Sequence, residues 1–561
     1  MLYTTIQQGV LRGKSKCKKE PTHPEAFTPV PVILDPRFKV DPTAGPVSDK
    51  LYGGFIEHLG RCIYGGLVDN PAAPSPAELL ISQEDGTERT KGRAPWRKDV
   101  QKVLASDGEL EIPMMRWPGG NYVSNYHWQD GVGPQALRPA RIELAWLGTP
   151  ETNQFGTDEF IDMCRANGWE PYICLNMGSG TYEEALAWVE YCNGTGNTHW
   201  ANLRRKNTGR DEPHNVKYWG LGNEMWGPWQ VGNLGATAYA TEARRWAHGL
   251  KLVDPTIKLV SCGETGWSDW DREILQALVP FIDLHSIHFY SMLGHSTDSD
   301  VAGYEYEKNV FGPAAAERAI EITKSLIDLA NIDNTFRGIP ARDVKIAFDE
   351  WNVWDTDKAP GEIGLEQIYD YTDMLGVVAW LNILVRHHKD VAVACLAQSV
   401  NVIAPLMTTP DGICRQTTFW PLKMFGKYMK NGHLITLPSM PDAYDGPSYP
   451  VFIQQTNLAP RYVDMVCMAA EEEGKTSIRL SVLNRHPTVD WPADIDFAAF
   501  KLDKVQVTEV YSDDLAATNT FAHPESVTPT TTEYTAVEWA ARKHIVRKHS
   551  WQFIIFEGVK P

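Results

Sequence analysis

The 561-residue chain has no run of about 18 apolar residues, and its first 30 residues hold no apolar stretch behind a basic start. A bilayer-crossing helix needs about 20 such residues, so the sequence offers neither a membrane span nor a signal peptide. Positive charge is scarce as well, with 53 Lys and Arg against 71 Asp and Glu and a formal net charge of −18. Such a chain repels nucleic acid and anionic membranes, which leaves only a local patch for polyanions. The one basic cluster, RGKSKCKKE at 12–20, reads as a solvated tail. Nine cysteines are spread thinly and form no CxxC pair, which argues against a disulfide framework. Cys164, Cys174 and Cys262 lie in apolar runs and read as buried thiols. Their pattern favours a reducing, cytoplasmic compartment; a leader removed by processing would instead imply secretion. No GxGxxG follows a strand-like run and no GxxxxGKS/T occurs, so the common nucleotide-phosphate cradles are missing.

What is present is globular. Hydrophobic residues make up 43% and charged residues 22% of a chain longer than one core usually organises, so a large domain with a companion is expected. Eight times a short apolar run ends in a polar residue or glycine: YGGFIEHLG (52–60), IPMMRWPGGN (112–121), EPYICLNMG (170–178), VKYWGLGNE (216–224), IKLVSCG (257–263), DLHSIHFY (283–290), VKIAFDEW (344–351) and VAVACLAQS (391–399). Helix grammar fills the gaps. TDEFIDMCRANG (157–168) carries acids in its first turn and ends on glycine, and TYEEALAWVEYC (181–192) has Thr181 and Glu184 at capping-box spacing. Residues 365–388 are apolar on more than one face and end in His387 and His388, which would complement the helix dipole. Eight buried strands alternating with helices predict a closed (β/α)8 TIM barrel over 50–409. From about residue 410, short β-rich runs such as TSIRLSVLNR, VQVTEVYS and WQFIIFEG predict an antiparallel, jelly-roll-like β-sandwich. PVPVILDP (29–36) alternates similarly, so residues 26–49 are expected to join 410–561 in that domain, with 1–25 as an N-terminal extension.

Catalytic groups of such barrels sit at the C-terminal ends of the strands. Glu57, Asn121, Asn176, Asn223, Glu224, His288, Tyr290, Glu350 and Gln398 all fall there. The fourth and seventh runs each deliver a glutamate, Glu224 and Glu350, to one mouth. WGLGNEMWGPWQ (219–230) surrounds Glu224 with three tryptophans and no Lys or Arg. Desolvation and a second nearby carboxylate favour the acid form of such a group. A protonated and an ionised carboxyl beside aromatic faces are what glycosidic cleavage requires, with Glu224 as acid/base and Glu350 as nucleophile. Asp349, next to Glu350, should face away from the lumen by strand alternation and is read as structural. Trp226 and Trp229 fit either a platform for the leaving group or core packing.

In order along 50–410, the pieces GGFIEHLGRCIYGG, MRWPGGNYVSNYHWQDGVGP, ELAWLGTPETNQFGTDEF, YWGLGNEMWG, IHFY, FDEWNVW and AQSVNVIAPL resemble glycoside hydrolase family 51, the α-L-arabinofuranosidases. The resemblance implies a retaining, exo-acting hydrolase that removes terminal α-L-arabinofuranosyl residues from arabinoxylan, arabinan or arabino-oligosaccharides. It implies Glu224 as acid/base and Glu350 as nucleophile, and Glu57, Asn121, Asn223 and Gln398 as ligands of sugar hydroxyls. His288 and Tyr290 would line the site and Trp146 would border the furanose. It implies no metal and no cofactor, an arabinose-containing glycan as partner, and association into homo-oligomers. The chain departs from the family at ETNQFGTDEF, where ETNEFGTNEF is usual, and after HFY, which bears on leaving-group contacts. An endoglucanase or β-xylosidase of the same barrel clan, or a non-catalytic carbohydrate-binding protein, are the alternatives.

Overall fold

The computed structural model describes all residues except 1–21, 36–44, 70–95, 147, 293–304, 362–363, 447–458, 473, 499 and 560–561. The basic cluster at 12–20 therefore lies outside the described residues.

Each of the eight apolar runs forms a strand: β1 (Gly53–Phe55), β2 (Met114–Trp117), β3 (Glu170–Cys174), β4 (Tyr218–Leu221), β5 (Lys258–Ser261), β6 (Leu284–Ser291), β7 (Lys345–Val353) and β8 (Val391–Leu396). All neighbours pair in parallel and β8 closes onto β1, completing a barrel. A helix follows every strand: α1 (Lys98–Leu104), α2 (Thr157–Asn167), α3 (Tyr182–Asn193), α4 (Ala236–Val253), α5 (Asp269–Leu278), α6 (Ala314–Phe336), α7 (Tyr371–Arg386) and α8 (Phe419–Tyr428). Side chains alternating along the strands fill the lumen, among them Phe55, Met114, Tyr172, Cys174, Val260, Ala347 and Val393. The barrel is thus a packed core with chemistry confined to its rim.

The local signals read from the sequence act as expected in most places. Gly168 ends α2 in the left-handed region at φ 69° and returns its N–H to Cys164 O. Thr181 caps α3 by accepting from Glu184 N at 3.1 Å, but the Glu184 carboxylate pairs with His127 instead of closing the box. Helix α7 begins six residues later than its apolar pattern, at an Asp370–Asp373 capping box, and is buried on nearly every face. His387 contacts Glu317 at 3.1 Å, whereas burial pushes His388 down to about 4, so it is neutral and does not complement the dipole.

Beyond α8 lies a six-stranded antiparallel sheet. Its strands are β9 (His433–Leu434), β10 (Val463–Glu472), β11 (Lys475–Asn484), β12 (Lys501–Val510), β13 (Thr530–Thr535) and β14 (Ser550–Val559), in the order β9-β10-β11-β14-β12-β13. Two-stranded ladders accompany it; one pairs Val32–Leu34 in parallel with Ile495–Phe497, and Phe497 packs edge-on against Phe556 of β14. Helix α7 joins barrel and sheet. Asp464 of β10 accepts from Asn382 at 2.9 Å and from Arg386 at 3.0 Å, and the Tyr371 hydroxyl lies 3.0 and 2.8 Å from the carbonyls of Val510 and His549.

Candidate active site

The C-terminal rim of the barrel holds a pocket lined by Phe55, Glu57, Asn121, Trp146, Glu224, Tyr290, Glu350, Trp354 and Gln398. Seven of the nine site residues read from the sequence meet there, and Asn223 and His288 stand directly behind them in contact with its acids or their partners. Asn176, also at a strand end, bonds Tyr126 O and the loop at 178–179 and is a structural residue.

Two glutamates dominate the pocket. A carboxylate oxygen of Glu224, one of Glu350 and a ring nitrogen of His288 all lie within 4.8 Å of one another. Glu350 Oε1 accepts from Arg116 Nη1 at 2.6 Å and its Oε2 from the Tyr290 hydroxyl at 2.8 Å. Glu224 has other neighbours: Trp229 Nε1 donates to Oε2 at 3.3 Å, and His288 Nδ1 lies 3.1 Å from Oε1. Burial opposes the imidazolium of His288, yet Glu350, Asp349 and Glu224 prevail and raise it to about 10. A cation therefore does touch Glu224, although its flanking sequence contains none; it arrives from β6. Counted as charges, Arg116 and His288 match two of the three carboxylates Asp349, Glu350 and Glu224. Glu224 is the one with no contact to the guanidinium in this network.

Asp349 corrects the sequence reading. It faces the lumen, accepting from Tyr172 OH at 2.7 Å and from Ser286 Oγ, with Arg116 Nε at 3.4 Å and His288 Nε2 at 3.3 Å. The cause is a β-bulge. Against β6, Ala347 pairs with Ser286 while Glu350 pairs with His288, so β7 spends one extra residue there. The bulge turns two consecutive acids inward, which strict alternation forbids. Burial would raise the Asp349 carboxyl, but Arg116 and His288 hold it well below the usual carboxylate range. It acts through those two cations and has no place in the pocket lining.

Arg116 is the residue that sequence reasoning missed. It is 1% exposed, sits over the Phe55 ring at 4.5 Å, and donates from Nη2 to Asn223 Oδ1 at 2.6 Å while holding Glu350. Its signal was the one cation inside the apolar strand PMMRWP, since a charge is buried there only when paired.

Elsewhere in the pocket, Glu57 accepts from Tyr122 N at 2.9 Å, Trp146 Nε1 at 3.0 Å and Gln398 Nε2 at 3.0 Å. Burial pushes its carboxyl up to about 8, with the Tyr122 amide pulling the other way. The PGG stretch exists for this carboxylate: a Cβ on Gly120 would stand 2.6 Å from Glu57 Oε2. Two buried polar atoms here, Asn223 Nδ2 and Gln398 Oε1, have no partner among the described residues. Unpaired donors and acceptors beside two acids are fitted to the hydroxyls of a small polyol.

Glu224, His288 and Glu350 are also spaced to hold a metal ion. Ligation needs neutral imidazole, and the protonated His288 together with the Arg116 bridge to Glu350 makes the trio a poor fit. The departures in ETNQFGTDEF, Gln154 and Asp158, are not among the residues lining the pocket. Asp158 bonds Tyr191 at 2.8 Å and His214 at 2.9 Å, and Gln154 bonds loop carbonyls. The segment after HFYSM, residues 293–304, lies outside the described residues.

Two family profiles match the chain, the α-L-arabinofuranosidase 1 domain over residues 108–305 and the α-L-arabinofuranosidase C-terminal domain over 349–550. α-L-Arabinofuranosidase C of Emericella nidulans is 48% identical over 487 residues, which cover 84% of this chain and 88% of that protein. The chain belongs to the α-L-arabinofuranosidases of glycoside hydrolase family 51. Among solved structures, the family 51 α-L-arabinofuranosidase of Bifidobacterium longum superposes with a TM-score of 0.77 at 30% identity, covering 94% of this chain and 99% of that one. The enzyme from Thermotoga maritima, solved as an arabinose complex, gives 0.76 at 34% identity with the same coverage. This family 51 arabinofuranosidase is accordingly a hydrolase of arabinose-containing glycans, which removes a non-catalytic binding role and the endoglucanase and xylosidase alternatives as its principal activity.

Proposed function

We propose that the enzyme removes terminal non-reducing α-L-arabinofuranosyl units with net retention, through a covalent glycosyl-enzyme intermediate. The observation that carries this reading is that Glu224 and Glu350 bring carboxylate oxygens within 4.8 Å. Retaining pairs stand about 5 Å apart, whereas inverting pairs leave about 6.5–9.5 Å for an intervening water. Glu350, oriented by Arg116 and Tyr290, attacks the anomeric carbon while Glu224 protonates the departing oxygen. Glu224 then deprotonates the water that releases arabinose. Asn223 Nδ2, unpaired and beside the nucleophile, suits a sugar hydroxyl whose hydrogen bond strengthens at the transition state. Glu57, Asn121, Trp146 and Gln398 line the same pocket as the two acids, a polar and aromatic set that suits a terminal arabinofuranosyl unit of arabinoxylan, arabinan or their oligosaccharides.

Glu224→Ala should retain far more turnover on aryl arabinofuranosides with good leaving groups than on natural glycosides, and azide should rescue it as an α-glycosyl azide of retained configuration, formed by attack on the β-linked glycosyl-enzyme intermediate. Equal loss on both substrate types would remove the acid/base role from Glu224. Proton NMR of the first-formed arabinose distinguishes retention from inversion. Product analysis on singly and doubly substituted arabinoxylan fixes the linkages cut.

A further inference from the structure

We propose that Glu264, in the loop after β5, recognises the leaving group: its carboxylate accepts hydroxyl hydrogen bonds from the sugar unit from which arabinose is cleaved. The inference rests on the reading of Glu224 as the acid, because it assigns the wall on that side of the pocket to the departing sugar.

A chain of contacts runs from Glu224 to this loop. Trp229 Nε1 reaches Glu224, and the Trp226 ring meets Trp229 edge-on at 5.0 Å. Trp226 in turn donates its indole N–H to Gly263 O at 3.1 Å, one residue before Glu264. Both tryptophans are half-buried, and so is Glu264. A ring face for sugar C–H groups next to a carboxylate for sugar hydroxyls is the composition a pyranose or furanose leaving group calls for.

The backbone of the loop is anchored on both sides. Asp271 of α5 accepts from Glu264 N and from Gly266 N, each at 2.7 Å. Asp271 also meets His285 Nε2 at 3.1 Å, and His285 Nδ1 meets Ser261 Oγ at 2.8 Å. This Ser–His–Asp line has the partners of a nucleophilic triad, yet all three residues are 0% exposed, so it serves the loop and not a substrate. On the other side, Glu264 O accepts from His288 N at 2.8 Å, tying the loop to the residue that touches both catalytic acids. A Cβ on Gly263 would stand 2.6 Å from His285 Nε2, so the loop packs closely against β6 at this glycine. Burial raises the Glu264 carboxyl to about 7, opposed by Ser268 and reinforced by Asp271 and Glu224. Its hydrogen-bond partner within the chain is the Ser268 side chain, and no Lys or Arg among the described residues is paired with it.

The test compares wild type with Glu264→Gln and Glu264→Ala on three substrates: an aryl arabinofuranoside, whose leaving group lacks sugar hydroxyls, an arabinoxylo-oligosaccharide and an α-1,5-arabino-oligosaccharide. A hydrogen bond between a neutral donor and a carboxylate corresponds to roughly tenfold or more in kcat/KM. The ratio of kcat/KM on at least one oligosaccharide to that on the aryl substrate should therefore fall about tenfold in both variants, mostly through KM. A ratio equal to wild type for both oligosaccharides, whether all activities fall together or none falls, overturns the proposal. Failure of the wild-type enzyme on every arabinofuranoside would instead overturn the functional reading beneath it.

Discussion

Arg116 shows what a single buried charge does at this site. Its guanidinium spans Glu350, Asn223 and Asp349 at once, a task for a planar fork and beyond the reach of one ammonium. Arg116→Lys should lower kcat by at least about 100-fold with a smaller effect on KM, and cost about 3 kcal/mol of stability by leaving a buried carboxylate unmatched. Steady-state kinetics and denaturant unfolding measure the two effects separately; retention of kcat would deny it any role in orienting Glu350. His288 carries the pH dependence. Its folded-state value of about 10 lies above the ordinary 6.5, so the stability it supplies is complete below about pH 6.5 and disappears as pH rises through about 10. The difference in melting temperature between wild type and His288→Asn should shrink across that window. Glu224 and Glu350 were visible in the sequence because a strand-end position suffices to flag an acid. Arg116 and the inward face of Asp349 were not, because each is defined by partners on other strands.

At the level of elements, the bulge in β7 and the PGG turn after β2 set the geometry of the acids. Gly120 leaves room for the Glu57 carboxylate, and an added methyl would press within 2.6 Å of it. Gly120→Ala should displace Glu57 from Trp146 and Gln398 and raise KM at least about tenfold, with an overpacking cost of about 1–3 kcal/mol. An unchanged KM would mean that Glu57 does not contact the sugar. Periodicity located every barrel strand, since each is a short apolar run with a polar end. It placed the start of α7 too early, because residues 365–370 are apolar enough to extend the pattern while the Asp370–Asp373 capping box begins the helix. Alternation likewise misplaced Asp349, because a bulge is a property of two paired strands and leaves no mark on one of them.

On the scale of the whole molecule, α7 belongs to barrel and sheet alike. Its side chains are buried on the inner face against Phe348 and Trp351, and on the outer face Asn382 and Arg386 bond Asp464 of β10. Neither part can lose the helix without exposing apolar surface, so calorimetry should show one cooperative unfolding transition with equal calorimetric and van't Hoff enthalpies. Asp464→Ala should lower that single transition and not split it; two resolved transitions would show the parts to be energetically independent. The eightfold alternation, the β-rich C-terminal part, the family and the two candidate glutamates were legible from sequence, because these reside in local periodicity, in strand-end position and in contiguous motifs. Only the tertiary structure decided which cations meet those glutamates, which way Asp349 points and which loop stands beside the tryptophans at the leaving-group side. Those relations join side chains tens to hundreds of residues apart, and nothing but the closure of the barrel brings them within hydrogen-bond distance.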